Sequence, residues 1–240
     1  MNKKEEFKDK FKIIEEYIYE ITNSSQDEYF KNVLKEASKR REVIKNYKQE
    51  IEGYYNLRNV LSHKKELGED MISGINNEIV ENVTKIVKKI KEPPTAKEVF
   101  GKKVIETKLD ENLLDVLDTM KDIENGPYTH IPVRDNGRFV GVLSDASIAN
   151  WLGSGNNVEI NKKTTISDIR DFITDLPNER FDFVEDSDSA YKVKNKFSNY
   201  IKNERRLGVI YVTDGGDRDK PFVGVATAWD LESDKVKQML

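Results

Sequence analysis

The chain has no cysteine, only two histidines and only six prolines in 240 residues. Without cysteine, neither a disulfide framework nor a thiolate metal site can form. Histidine, aspartate and glutamate are not grouped at metal-ligand spacing, so no metal site is expected. A Gly-rich phosphate loop is missing, as is any Ser-His-Asp or Cys-His arrangement that His63 and His130 could serve. No apolar run is long enough to span a bilayer, so no membrane partner is expected. The opening stretch MNKKEEFKDKFKIIEEY mixes Lys and Glu throughout, with no apolar segment before a small-residue cleavage site. That pattern reads as no signal peptide and as a cytoplasmic protein.

What the chain has in abundance is charge. Charged residues make up 35% and hydrophobic ones 37%, with a formal net charge of −4. A modest core can form, and most elements must keep one solvated face. Between residues 31 and 48, Lys31, Lys35, Lys39, Arg40, Arg41, Lys45 and Lys48 meet only Glu36 and Glu42. Such a run is usually a solvated helix face, and it can also meet phosphates.

Two regions have different hydrophobic periods. Up to residue 92, apolar residues recur at helical spacing. Phe7, Phe11, Ile14, Ile18 and Ile21 form one stripe, and Asn23-Ser24-Ser25 ends that helix. A second helix carries Phe30, Val33, Leu34, Ala37, Ile44 and Tyr47, and a third short one Tyr54, Tyr55, Leu57 and Leu61. After a break at Gly68–Gly74, Ile75, Ile79, Val83, Ile86, Val87 and Ile90 mark a fourth, which Pro93-Pro94 stops. A four-helix bundle over residues 1–92 is expected.

Beyond Pro94, short β-like runs alternate with helices and repeat. HIPVRDNGRFVGVLSDASIANWL at 130–152 and VIYVTDGGDRDKPFVGVATAWDL at 209–231 share the order strand, tight turn, strand, helix. Val133 aligns with Val212, Asp135 with Asp214, and Val140-Gly141-Val142 with Val223-Gly224-Val225; the second copy has four extra turn residues. A strand and an amphipathic helix precede each copy. The expected fold is α+β: the bundle, then two β-α-β-β-α repeats, at 95–160 and 161–240, forming a pseudo-two-fold pair.

These repeated segments resemble the second and third strands of CBS domains. The resemblance implies paired repeats (a Bateman module) with clefts that take AMP, ADP, ATP or an S-adenosyl compound as a regulatory ligand, with no required cofactor. It also implies a Ser or Thr at the opening of the last helix that bonds phosphate, and an Asp three residues on that bonds the ribose hydroxyls. An anion is favoured where helical N–H groups are unpaired, and a carboxylate can accept from two vicinal hydroxyls. The second repeat keeps the pair as Thr227 and Asp230; the first has Ser144 but Ser147 in place of the Asp. The candidate cleft is therefore that of Thr227 and Asp230, with Phe183, Val184, Ile210 and Tyr211 flanking the base and Arg205 or Arg206 reaching phosphate. Thr227 and Asp230 can equally serve as the cap of the last helix. His130, preceding a hydrophobic-Pro-Val strand, is expected to be structural.

His63 closes the string Tyr55-Asn56-Leu57-Arg58-Asn59-Val60-Leu61-Ser62-His63. Arg58 followed by a polar residue, with His63 five positions on, resembles the RxxxxH motif of HEPN domains, small helical bundles that include metal-independent ribonucleases. The resemblance implies that His63 shuttles a proton, Arg58 forks onto phosphate oxygens and Asn59 orients one of them, in a homodimer that joins two motifs on RNA. Two readings stay open: an adenine-nucleotide-sensing protein with a HEPN-type ribonuclease domain, or a non-enzymatic CBS regulatory protein whose helices serve dimerisation or docking.

Overall fold

The computed structural model describes residues 2–63, 75–121, 128–155, 158–174, 180–203 and 206–240. The fold is α+β, with helices and two small sheets, and it divides into two compact units, Met1–Pro94 and Thr95–Leu240.

The first unit is helical. Helix α1 (Lys3–Thr22) starts where the Asn2 side chain accepts from the Lys4 amide at 3.1 Å, and it ends at Asn23 with φ 55°. Its buried stripe is Phe7, Phe11, Ile14 and Ile18, as the spacing of these residues requires. Helix α2 (Phe30–Arg40) buries Phe30, Val33, Leu34 and Ala37. The continuous second helix expected through Tyr47 is not found. Arg41 is extended (φ −134°, ψ 120°), and a separate α3 (Glu42–Asn46) buries Ile44. The Arg40 guanidinium anchors this break by donating to the Ile21 carbonyl at 2.8 Å. Helix α4 (Lys48–His63) follows, then α5 (Asn77–Lys91), capped by Asn76 and burying Val80, Val83, Ile86, Val87 and Ile90. Five helices, not four, therefore lie among the described residues of this unit; the Gly68–Gly74 break lies outside them.

The second unit begins with α6 (Ala96–Phe100), whose Thr95 and Glu98 form a reciprocal cap. Then come β1 (Thr107–Lys108), α7 (Leu113–Met120), β2 (His130–Asp135), β3 (Arg138–Ser144) and α8 (Asp145–Leu152). A 3-10 turn, Ile166–Phe172, leads into β4 (Arg180–Glu185), α9 (Ala190–Lys202), β5 (Leu207–Thr213), β6 (Phe222–Thr227), α10 (Ala228–Glu232) and α11 (Asp234–Met239). Strand β1 pairs parallel with β2, which pairs antiparallel with β3; β4, β5 and β6 repeat that connectivity. The β2–β3 turn needs left-handed backbone at both central positions, and Asn136 (φ 48°) and Gly137 (φ 80°) supply it.

The two cores do not divide the chain at residue 160. Ala96, Val99 and Phe100 of α6 pack with Val184, Val193, Ile210 and Val212 of the second sheet's half. Ile166, Ile169 and Ile173 pack with Leu109, Leu113, Ile131 and Leu143 of the first. Each half thus receives the segment that precedes the other. Both exchanged segments land on the glycine of a Val-Gly-Val strand. The Val142 amide donates to the Ile173 carbonyl at 2.6 Å, and Gly101 bridges Gly224. A Cβ on Gly224 would stand 2.5 Å from the Phe100 carbonyl oxygen, and one on Gly141 would collide with the Ile173 carbonyl. Backbone cannot yield there, so the repeated glycine serves close approach. Between the sheets, Phe139, Val142, Val209, Tyr211 and Phe222 form a third cluster, with Phe181 and Phe183 against it.

Gly224→Ala is expected to destabilise the chain by about 2 kcal/mol or more, through overpacking against backbone. Gly53→Ala, in α4 with nothing within 4 Å of the added carbon, should stabilise by up to about 1 kcal/mol. Thermal melts of the two variants should therefore move in opposite directions, and a melt of Gly224→Ala at or above the parent's would contradict the packing described.

Candidate ligand-binding site

Strand β6 runs directly into α10, and Thr227 at the junction forms a reciprocal cap with Asp230. The Thr227 amide and hydroxyl both donate to Asp230 Oδ2, at 2.7 and 2.8 Å. The other carboxylate oxygen, Oδ1, accepts from Lys102 Nζ at 2.8 Å. Lys102 is delivered there by the bridge between its neighbour Gly101 and Gly224. Burial alone would push the Asp230 carboxyl up; the Lys102 ammonium and the Thr227 donors outweigh it and hold the carboxyl below the usual aspartate range.

The equivalent junction in the first half is a closed version of the same cap. The Ser144 amide donates to Ser147 Oγ at 2.7 Å, the Ser147 amide donates to Ser144 Oγ at 3.2 Å, and both residues are buried. Ser147 Oγ occupies the role of Asp230 Oδ2. Nothing there corresponds to Oδ1.

A cavity of about 600 Å³ opens at the Asp230 junction. Its apolar wall is Val104, Ile105, Val209 and Val225; its polar side is Lys102, Lys103, Thr129, His130, Thr227 and Asp230; Tyr128 and Trp229 complete it. Trp229 is 85% exposed, an unusual state for a tryptophan, and sits on the cavity's rim. An adjacent cavity of about 560 Å³ shares Thr129, His130, Thr227 and Trp229 and adds Ser144, Asp145 and Arg206. The structure thus gathers Thr227, Asp230, Ser144 and Arg206 around one region; Arg205 lies outside the described residues.

Phe183, Val184, Ile210 and Tyr211, expected to flank a base, do not line this cavity. Val184 and Ile210 point into the core beneath the second sheet, because alternate residues of a strand face opposite ways. Phe183 and Tyr211 share the cavity's face of the sheet but belong to the aromatic cluster between the sheets. Tyr211 is fully buried there, with its ring centroid 4.9 Å from that of Phe222. Val209, also buried in that cluster but paired with Thr227, and Val225, paired with Tyr211, are the members of β5 and β6 that line the cavity's apolar side. Sequence reasoning also passed over Lys102 and Trp229 and gave His130 only a structural role. Only the register Val209↔Thr227 singles out Val209, and the placement of Lys102 depends on the exchange, so neither had a signal in the sequence.

In the helical unit, Arg58 and Asn59 lie on α4, and His63 is that helix's last residue, its side chain outside the described set. Arg58 Nη1 donates to Asn59 Oδ1 at 2.9 Å, its Nη2 pairs with the Glu15 carboxylate of α1, and its guanidinium lies 5.5 Å from the Tyr55 ring centroid. Arg58 also lines a cavity of about 630 Å³, where Lys8 and Lys12 face Glu15, Glu16, Asp27 and Glu28. Burial raises the Glu15 carboxyl above its ordinary range, and the Arg58 charge opposes that shift. Among the described residues no cluster of His, Asp and Glu could hold a metal ion, and no helix is long and apolar enough to cross a membrane.

Residues 96–154 match the model of the CBS domain. This stretch holds the first sheet and α8. The second sheet repeats its connectivity. Solved structures similar to the chain also carry the CBS name. The CBS domain pair of protein MJ0100, in complex with 5′-methylthioadenosine and S-adenosyl-L-methionine, is 19% identical, covers 58% of this chain and 94% of its own, and aligns with a TM-score of 0.40. A hemolysin-like CBS-containing protein of Oenococcus oeni PSU is 17% identical over 58% and 88%, with a TM-score of 0.39. The CBS domain of a bacterial CNNM/CorC family Mg2+ transporter is 18% identical over 76% and 96%, with a TM-score of 0.41. No curated protein matches the chain.

Because the folded-state pKa of Asp230 is depressed, its contribution to stability is fully present above the unfolded value, near 3.8. That contribution is lost as pH falls through the lower folded value. Asp230→Ala should therefore cost about 1 kcal/mol at pH 7, the usual worth of such a cap, and the deficit should shrink below about pH 4. Chemical denaturation at pH 7 and pH 3 checks this; a deficit that is the same at both would contradict the assigned ionisation.

Proposed function

We propose that the second unit is a CBS pair that binds an adenosine-bearing ligand in the cavity at Thr227 and Asp230, and that this binding regulates the helical unit. One observation carries the reading: a single cavity joins an apolar wall (Val104, Ile105, Val209, Val225) to a carboxylate, a hydroxyl and two lysines. A base suits the wall, ribose hydroxyls suit Asp230 Oδ1, and phosphate suits the lysine side. Trp229 on the rim can cover the base. In the first half Ser147 stands at the position of Asp230, which favours the second junction for the ligand.

For the helical unit, the ribonuclease reading is favoured by one feature. Arg58 and Asn59 are hydrogen-bonded to each other, and Arg58 lines an open cavity together with Lys8 and Lys12, among four carboxylates. In that reading Glu15 holds the guanidinium until the phosphodiester displaces it, Arg58 stabilises the charged phosphorane, and His63 transfers the proton. The alternative is a non-enzymatic bundle for dimerisation or docking, in which the Glu15–Arg58 pair only ties α1 to α4.

AMP at one hundred times its Kd should stabilise the protein by about 2.7 kcal/mol, seen as a rise in Tm. Asp230→Ala should remove that rise and Ser147→Ala should keep it; the reverse pattern would move the site to the first half. Wild-type protein incubated with mixed RNA should cleave it, with at least a hundredfold loss in His63→Ala and Arg58→Ala. Equal activity in the parent and both variants, or none in the parent, leaves the non-enzymatic reading.

A further inference from the structure

We propose that Lys102 makes the Asp230 cavity selective for phosphate-bearing adenosine ligands over adenosine itself and over S-adenosyl compounds. The inference rests on the reading that this cavity takes an adenosine-bearing ligand. It starts from how the Asp230 carboxylate is divided. Oδ2 is committed to the Thr227 amide and hydroxyl, which hold the chain turn between β6 and α10. Oδ1 is the oxygen left for a ligand, and Lys102 Nζ occupies it at 2.8 Å.

Oδ1 has two lone pairs, so a ribose that brings both vicinal hydroxyls to it displaces the ammonium group. Lys102 is about half exposed in this pair, with its side chain at 47%, so it can swing without unfolding its segment. Its stem is fixed at the cavity because Gly101 is bridged to Gly224 and Val104 and Ile105 continue along the wall. The freed charge thus stays beside the ligand. Lys103 is exposed on the same lining and has no carboxylate partner among the described residues. Two cations then face one incoming molecule.

The charge of that molecule decides the outcome. A nucleotide exchanges one ion pair for another: its hydroxyls take the carboxylate while its phosphate takes Lys102. Neutral adenosine breaks the Lys102–Asp230 pair and returns no anion. A sulfonium ligand puts a positive charge on the 5′ carbon, where a nucleotide carries its phosphate, and so sets it against Lys102 and Lys103. Lys102 thereby acts as a specificity-determining residue, and its resting pair with Asp230 is the feature that weak or wrong ligands fail to replace.

Isothermal titration of the full chain with AMP, adenosine and S-adenosylmethionine tests this, in wild type, Lys102→Gln and Lys102→Arg. Wild type should bind AMP at least tenfold more tightly than adenosine, about the worth of one charged hydrogen bond, and S-adenosylmethionine more weakly still. Lys102→Gln should lose most of that preference by weakening AMP while adenosine stays the same or tightens, because Oδ1 is freed. Lys102→Arg should keep it. If wild type binds AMP and adenosine equally, or Lys102→Gln lowers both in proportion, the role of Lys102 is overturned and the site reading stands. If wild type binds none of the three, the site reading fails and this inference with it.

Discussion

Everything in the second unit that bears on ligand depends on two places where backbone meets backbone. At Gly141 the chain around Ile173 comes within hydrogen-bonding reach of β3, and at Gly224 the chain at Phe100–Gly101 does the same to β6. A methyl group at either position would displace a carbonyl, which has nowhere to go in a packed interior. These contacts exchange segments between the halves, so each core is completed by residues from the far side of the sequence. The exchange also creates the site. Gly101 is pinned on Gly224, and the next four residues, Lys102, Lys103, Val104 and Ile105, all line the cavity. A ligand cavity made from one β-strand's own neighbours would have had the carboxylate and no counter-charge.

The exchange sets where the segments go; a second set of contacts holds the sheets face to face. Phe139 packs edge-on against Phe181 and Phe183, and Phe183 stacks with Phe222, so the aromatic cluster draws on both halves. Its open edge is closed by Arg134, which pairs with Glu106, covers the Phe222 ring at 4.4 Å and donates to the Asp219 and Lys220 carbonyls. Asp219 in turn accepts from the Phe139 amide at 2.9 Å. The four extra turn residues of the second copy therefore have a physical role. They reach across to cap the first copy's hairpin, which Arg134 alone would leave with unsatisfied backbone. Such a reach works in one direction only, so the two copies differ.

Local pattern was enough for much of this to be read from the sequence. The stripe Phe7-Phe11-Ile14-Ile18, the Asn136-Gly137 turn, the repeated Val-Gly-Val strands and the Thr227/Asp230 junction all follow from spacing and turn chemistry within a few residues. What escaped was set by distance along the chain. The break at Arg41 is stabilised by a carbonyl on α1, nineteen residues back. The resemblance points to Phe183, Val184, Ile210 and Tyr211 as base-flanking, and Ile210 and Tyr211 lie in a continuous apolar run. In such a run every residue is a candidate, and only the register Val209↔Thr227 shows which alternate ones reach the strand's end. Lys102 was invisible because its partner is 128 residues away. Its immediate neighbours, Gly101 and Lys103, give no hint of a site.

The asymmetry between the two junctions bears on how such a module can regulate at all. A ligand shifts an equilibrium only through a difference in affinity between two states. Ser147 closes the first junction with a single oxygen inside a buried cap, so no ligand can alter that cap without disrupting it. Asp230 adds one oxygen beyond what the cap needs, and that oxygen is tied to a side chain on the exchanged segment rather than on α10 itself. Replacing this tie with a ligand leaves the cap intact while changing what holds Lys102, in the segment that follows directly from Pro94 and α6. The covalent connection to the helical unit runs through that same segment. Under the proposed function, ligand at the second junction acts first on the segment that follows Pro94, whereas ligand at the first would act on α8 and the turn after it.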